Sequence, residues 1–95
     1  MLTATAGFRH DSIPAARAAV ASIAARSSDI VVTATENLAD VSAARLASTE
    51  VLMFALTTGE LAFDEAQKRA IVDFVNGGGG FMGFHSATDT LYDWP

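Results

Sequence analysis

The fold is decided by the stretch GGGGFMGFHSATDT at residues 77–90. Its glycines end the preceding helical pattern, because glycine readily takes the left-handed conformation that a helix C-terminus commonly needs. The apolar residues at 81–84 predict a short buried strand, in which Gly83 lets a neighbouring backbone approach closely. Polar residues follow at 85–90. Such a change of polarity at a strand exit is typical of functional sites in α/β proteins, and a loop that only closes a turn also shows it.

Three stretches upstream of this region have the composition of strands. Residues 51–56, VLMFAL, are continuously apolar, which is typical of a strand covered on both faces in a parallel sheet. Residues 30–34, IVVTA, are rich in β-branched side chains and predict another strand. Residues 1–5 are at best the tail of a strand. A short helix capped by Asp40 or Ser42 is predicted between the strands at 30–34 and 51–56.

Helical patterns separate these strands. Apolar residues at helical spacing predict a helix with Ser12 as its cap and Pro14 in its first turn, where the missing donor costs little. A second helix is predicted over residues 64–76. Its start carries Asp64 and, three positions later, Gln67, which is the pattern of a capping box.

The alternation of strands and helices predicts an α/β fold with about four parallel strands joined by right-handed crossovers. All strands of a parallel sheet end at the same edge. We therefore expect the loops at 7–11, 57–60 and 85–95 to meet there, although they are distant in sequence. The exit of the second strand, at 35–37, is expected at the rim of the same edge.

Length and composition limit the function. The 95 residues suffice for one small domain, and the net charge of −5 argues against nucleic-acid and anionic-membrane partners. The absence of cysteine excludes a disulfide framework, a thiolate nucleophile and a thiolate metal site. The sequence shows no signal peptide and no apolar run long enough to cross a bilayer. A cytoplasmic location is favoured.

Both ends of the chain suggest a larger unit. The first strand is short, and Trp94 appears one residue before the end with nothing following to bury it. We expect residues 1–95 to be the N-terminal part of a single longer domain. A parallel sheet without its last strands has an open apolar edge, so we expect aggregation or a homo-oligomer when this chain is expressed alone.

Four motifs carry a resemblance to a known family. They are TAGFRHDSIP at 5–14, TTG at 57–59, the stretch at 77–90 and YDWP at 92–95. In this order they resemble the ThuA-like family, named for trehalose utilisation. The resemblance implies a flavodoxin-like three-layer parallel sheet, similar to that of the class I glutamine amidotransferases and truncated here. It also implies a small-molecule carbohydrate as the partner.

The same resemblance locates a candidate catalytic position. Class I glutamine amidotransferases carry a cysteine in a Gly-x-Cys-x-Gly turn, and the matching residues 83–87 read GFHSA. His85 occupies the nucleophile position, so glutaminase chemistry through a thioester is excluded. A neutral imidazole there can act as a base, polarise a carbonyl or bind a metal. The alternative is a histidine that stabilises a turn.

Further candidates surround His85. Asp89 is the second catalytic candidate, as an orienting group or an acid/base, and it is equally compatible with an ordinary turn. The fork of Arg9 can grip a carboxylate, a phosphate or a sugar hydroxyl, or it can pair with Asp11 or Asp89. Tyr92 can stack on a sugar ring, whereas core packing is favoured for Trp94. The predicted substrate contacts are Arg9, His10, Thr57, Thr58, Ser86 and Tyr92.

No cofactor or metal is predicted. His10, His85 and Asp89 have suitable ligand types for zinc or another divalent ion, which stays open as an alternative. The leading hypothesis is a domain that acts on a carbohydrate in disaccharide or oxidised-sugar metabolism. Hydrolysis, elimination and isomerisation all remain open, so a hydrolase, a lyase and an isomerase are equally compatible with the sequence. The second hypothesis is a non-catalytic sugar-binding or interaction module.

Overall fold

The computed structural model describes all 95 residues of the chain. Its helices are α1 (Ile13–Ala25), α2 (Ala43–Leu46) and α3 (Glu65–Asn76), and its strands are β1 (Val51–Ala55) and β2 (Gly80–Phe84). Short 3-10 turns cover Leu38–Asp40 and His85–Thr88. No helix has both the length and the apolarity that are needed to span a membrane.

The sheet is parallel, as the alternation of elements predicts. β1 and β2 are aligned from Val51 opposite Gly80 to Ala55 opposite Phe84. Beside β1 runs the start of the chain, where Leu2 forms single parallel bridges with Phe54 on one side and with Thr35 on the other. The segment around Thr35, the first residues of the chain and β1 therefore lie side by side, with Leu2 in the middle.

The expectation of about four strands is met only in part, because the regular sheet has two. Residues 1–5 and the segment around Thr35 contribute single bridges instead of ladders. The predicted strand at 30–34 does not form. Its β-branched side chains favour an extended chain, but a ladder also needs a neighbouring backbone in register, and Val31 is 96% exposed with nothing packed on it. The four-stranded, flavodoxin-like sheet stays a prediction.

α1 begins as predicted but is capped differently. Pro14 lies in its first turn, where it has no donor to lose. Ser12 occupies the N-cap position, yet its hydroxyl caps no backbone N–H, because its φ of −80° and ψ of −4° are helical and not extended. Ile13 is the only fully buried residue of the helix.

α3 has the predicted capping box. The Asp64 carboxylate accepts from Gln67 N at 2.8 Å, and the Gln67 side-chain oxygen accepts from Asp64 N at 3.1 Å. The amide nitrogen of Gln67 also donates to the carbonyls of Leu38 at 2.6 Å and Val41 at 3.0 Å. One side chain therefore caps α3 and ties it to the turn that precedes α2. That turn leads to Ser42, which caps α2 as one of the two predicted candidates.

The core lies between β1, α2, α3 and the first residues of the chain. Trp94 is partly buried against it, which agrees with the predicted core packing of that residue. The buried apolar residues of this cluster are Leu2, Ala4, Val41, Leu46, Leu52, Phe54, Leu61, Phe63, Ala70 and Ile71.

β2 forms where it was predicted, but it is not buried. Phe81 is 49% exposed and Phe84 is 55% exposed. The reason is that β2 is an edge strand, paired only with β1, so its outer side has no neighbour. The close neighbour of Gly83 is the Ala87 side chain and not a backbone, because the chain turns back directly after β2.

The glycines before β2 form a turn, as predicted. Gly78 has a φ of +99°, and a β-carbon on Gly79 would collide with the ring of Phe74. The turn therefore needs glycine at residue 78 because of the positive φ angle, and at residue 79 because there is no space for a side chain.

Candidate functional site

The three polar loops meet at the carboxyl edge of the sheet, as parallel strands predict. Gly59 N donates to Asp89 O at 2.7 Å, which joins the loop after β1 to the loop after β2. Ala6 N and Gly7 N both donate to Thr58 O, at 2.8 and 3.2 Å, which joins the first loop to the same point. Leu91 N donates to Gly59 O at 3.1 Å. The loop after β1 is therefore the junction between the other two.

Gly59 is where this junction is tightest. Its φ is +76°, and a β-carbon built on it would lie 2.5 Å from Gly7 N and 2.9 Å from the Ala6 carbonyl carbon. Any other residue would meet both a strained conformation and a backbone collision. The two loops can be this close only because the residue is glycine.

Thr57 and Thr58 lie inside the junction. The Thr58 hydroxyl donates to Phe8 O at 2.6 Å, and the hydroxyls of Thr57 and Thr90 are hydrogen-bonded at 2.9 Å. Thr57 and Thr58 are both fully buried. A sugar reaches neither hydroxyl unless the loops move, so these predicted contacts act in this geometry as ties between loops.

His85 is the first residue after β2 and opens the 3-10 turn His85–Thr88. Its φ is +57°, in the left-handed region that residues with a β-carbon seldom enter. The other two such residues are Leu56 (φ 57°), the first residue after β1, and Leu91 (φ 61°), which follows Thr90. All of the unusual backbone conformations outside glycine therefore lie at this one edge, and such conformations tend to cluster at active sites.

An aromatic row runs across the edge through Phe8, His10 and His85. The rings of His10 and His85 are 4.6 Å apart between centroids and inclined at 71°. Those of Phe8 and His10 are 4.9 Å apart and inclined at 76°. The two imidazoles come from opposite ends of the chain, and only the parallel arrangement brings them into contact.

Asp89 is not joined to His85 by a hydrogen bond. Its carboxylate is exposed, while its backbone N–H donates to Ser86 O at 2.8 Å and its carbonyl accepts from Gly59. The open alternative of a metal bound by His10, His85 and Asp89 is not matched by the geometry, because no group of three such side chains is arranged to hold an ion. The orienting role of Asp89 stays a prediction.

Arg9 pairs with a residue that the sequence did not indicate. Its guanidinium makes two hydrogen bonds to Glu36, at 3.1 and 2.9 Å, and Arg17 approaches the same carboxylate at 3.5 Å. The alternative pairing of Arg9 with Asp11 or Asp89 does not form. The expected position of residues 35–37 at the rim was the signal that could have suggested Glu36.

This ion pair shifts the pKa values of both Arg9 and Glu36. The hydrogen bond and the charge of Arg9 hold the pKa of Glu36 below its ordinary range, against the opposing effect of desolvation. Glu36 in turn raises the pKa of Arg9. Both side chains are exposed, so water and salt screen the pair.

The remaining candidates differ in access. Tyr92 is exposed and can meet a ligand directly. The Ser86 hydroxyl is buried and has no hydrogen-bond partner, so a substrate would reach it only after the turn moves. Phe8 was not a candidate from sequence, because one aromatic residue in a loop has no pattern that separates it from a core residue.

The family comparison adds the identity of the domain. A family model described as trehalose utilisation matches residues 1–95, the full length of the chain. The chain belongs to the ThuA family. The predicted resemblance is thereby confirmed at the level of the family. No curated protein matches this ThuA domain, and no solved structure matches it either.

Proposed function

We propose that this ThuA domain acts on a small carbohydrate, trehalose or an oxidised disaccharide, at the carboxyl edge of its sheet. The observation that carries the proposal is the conformation of His85, which has a φ of +57° directly at the exit of β2 while its ring contacts that of His10. The description of the family supplies the substrate class. A strained strand-to-turn residue presents its side chain at the top of a sheet, as nucleophile elbows do.

The two imidazoles suit proton transfer between hydroxyl groups. A neutral imidazole has one N–H donor and one bare nitrogen, so a pair can accept a proton from one sugar hydroxyl and donate one to another oxygen. His85 is the base or the polarising group, and His10 contacts the substrate beside it. Because the chain has no cysteine, the reaction is not the thioester chemistry of a glutamine amidotransferase.

The surrounding residues have supporting roles in this proposal. Asp89 ends the turn that His85 begins and acts on the proton of His85 through water. Arg9 and Arg17 share the Glu36 carboxylate, so this group keeps one net positive charge for a substrate, and Tyr92 offers an exposed ring. Thr57 and Thr58 lie beneath the surface and position the loops, and Ser86 contacts the substrate only after the turn moves. The reaction is a hydrolysis, an elimination or an isomerisation, on the scaffold of an amidotransferase-like sheet.

A specific observation favours a second candidate, a sugar-binding module without catalysis. The Asp89 carboxylate makes no hydrogen bond to His85, so the orienting contact of a catalytic pair is not assembled. The same surface would then bind a sugar through His10, His85 and Tyr92 without transforming it.

The test replaces His85 by Asn in the full-length protein. Asn tolerates the left-handed conformation, so this change removes the imidazole without the backbone strain that Ala would add. We expect turnover of trehalose or of its keto derivative to fall by about 10²- to 10⁴-fold, while circular dichroism and the melting temperature stay close to those of the wild type. Unchanged turnover in His85→Asn would overturn the catalytic proposal. Binding of trehalose without turnover by either protein would support the module.

A further inference from the structure

We infer that Phe8 is a specificity-determining residue of this site and stacks against the second sugar ring of a disaccharide. The inference rests on the proposed function, because it names the part of the substrate that the aromatic row selects. It starts from an unusual combination in the first loop. Phe8 is 70% exposed, although a phenylalanine is normally covered by other residues.

The exposed ring belongs to a fixed segment. The carbonyl of Phe8 accepts the hydrogen bond from Thr58 at 2.6 Å, and the neighbouring Gly7 N donates to Thr58 O at 3.2 Å. Thr58 is 1% exposed, so this pair of bonds is shielded from competing water. The backbone under the ring is thus held from inside the protein while the side chain remains outside.

The ring of Phe8 also has a defined aromatic neighbour. His10 contacts Phe8 edge to face on one side and His85 on the other, with centroids 4.9 and 4.6 Å apart. The His10 ring therefore links Phe8 to His85, the candidate catalytic residue. No ring contact joins Phe8 to His85 directly, so a sugar ring placed on His85 leaves the exposed face of Phe8 open to a second ring.

The chemistry of the ring selects the kind of unit. Phe8 offers a flat apolar surface without any hydrogen-bonding group, and sugar rings present a flat patch of C–H groups to such a surface. Ligand sites commonly combine apolar or aromatic walls with a few polar groups that fix orientation. Here the imidazoles of His10 and His85 are the polar groups and Phe8 is the wall. The preferred ligand is then a disaccharide and not a single sugar.

The experiment measures the affinity of the full-length protein for trehalose and for glucose by isothermal titration, with Phe8→Ala, Phe8→Leu and Phe8→Tyr. We expect Phe8→Ala and Phe8→Leu to bind trehalose about 3- to 10-fold more weakly, with glucose affinity unchanged. Phe8→Tyr keeps the ring and should bind trehalose like the wild type. The leucine variant separates a ring-specific contact from general apolar burial. Val31→Ala, at an exposed apolar residue outside the three loops, is the control and should bind both sugars normally.

The outcomes separate this inference from the function on which it rests. If the wild type binds trehalose and both Phe8→Ala and Phe8→Leu bind it equally well, the role of Phe8 is overturned and the carbohydrate function stands. An equal loss for glucose and trehalose would also overturn it, because Phe8 would then contact the first sugar ring. If the wild type binds neither sugar, the proposed function fails and the inference fails with it.

Discussion

At the scale of single residues, the candidate site is marked by backbone conformation more clearly than by charge. His85, Leu56 and Leu91 all have positive φ angles, and each lies at or beside a loop of the carboxyl edge. Such conformations cost on the order of 1–3 kcal/mol each for residues with a β-carbon, so the surrounding contacts must hold them in place. Histidine tolerates this region better than leucine does, which makes Leu56 and Leu91 the more telling cases.

The close contact at Gly59 leads to a first prediction about single residues. Gly59→Ala should destabilise the fold by about 3 kcal/mol or more, because it adds left-handed strain and a collision with the backbone of Gly7. Gly78→Ala is a matched control, since Gly78 also has a positive φ, of +99°, but nothing lies within 4 Å of its added carbon. It should cost only the strain, about 1–2 kcal/mol. Urea denaturation measures both changes, and equal costs would contradict the tight junction between the loops.

The ion pair of Arg9 with Glu36 yields a prediction for the dependence of stability on pH. The folded state lowers the pKa of Glu36, so the carboxylate stabilises the fold above its unfolded pKa, and this contribution is lost as the pH falls through the folded pKa. Glu36→Gln should therefore be less stable than the wild type at pH 7. The difference should shrink below about pH 4.3, the ordinary pKa of glutamate, and at 1 M salt.

The control for this prediction is Glu50→Gln. Glu50 is exposed and forms no ion pair, so the change alters the net charge equally without breaking a pair. Urea denaturation at pH 7 and pH 3 gives the free energy of unfolding of all three proteins. A loss in Glu36→Gln that persists unchanged at pH 3 would show that packing, and not the charge, is responsible.

At the scale of elements, helices whose start and end signals are local were predictable, whereas strand burial was not. The capping box of α3 and the glycine turn after it depend on residues within a few positions of one another. The exposure of β2 depends instead on whether another strand pairs with its outer edge. The apolar run at 81–84 does not indicate whether such a strand is present. The same reasoning explains why the strand at 30–34 was predicted and does not form.

The hydrogen bonds of Gln67 lead to a prediction about the stability of α3 and its contact with the turn before α2. Asp64→Ala removes the cap and should cost about 1 kcal/mol. Gln67→Ala also leaves the Val41 carbonyl without its donor, whereas the Leu38 carbonyl keeps its bond from Val41 N at 3.0 Å, so the change should cost about 2 kcal/mol. Gln67→Glu keeps the acceptor for Asp64 N but turns a carboxylate oxygen toward those carbonyls. It should be at least as damaging at pH 7 and should recover in acid, where a protonated carboxyl can donate.

These variants are compared by urea denaturation at pH 7 and pH 4. If Gln67→Ala costs no more than Asp64→Ala, the bonds from Gln67 to the turn before α2 contribute nothing to stability. If Gln67→Glu is insensitive to pH, the side chain has turned away from the two carbonyls.

At the scale of the whole molecule, one inference from sequence accounts for most of the candidate site. Parallel strands end at one edge, and this rule predicts that the loops of His10, Thr58 and His85 meet there, as they do. It could not assign partners within the edge, because pairing depends on side-chain reach and on the exact path of each loop. Arg9 therefore pairs with Glu36 and not with the acids nearer to it in the predicted site.

The outer side of β2 leads to a prediction for the whole chain, namely that it associates with itself. Gly80 N donates to the carbonyl of Glu50, the residue before β1, so the alternate residues Phe81 and Gly83 direct their backbone groups away from β1. Half-exposed apolar side chains, including that of Met82, flank these unpaired groups. An open apolar strand edge favours pairing with another chain, so we expect dimers or larger species in the micromolar to millimolar range.

Met82→Lys should suppress this association, because a lysine on an edge strand must be desolvated when a second strand approaches. Met82 is preferable to Phe81 for the test, since the Phe81 ring contacts the buried Phe54 and its loss would disturb the core. Val31→Lys adds the same charge at an exposed apolar residue outside the strand and should leave association unchanged. Light scattering after size-exclusion chromatography measures the mass over a concentration series. A wild-type chain that stays monomeric throughout and melts in one sharp transition would refute the prediction, and equal effects of the two lysines would assign the association to net charge instead of to β2.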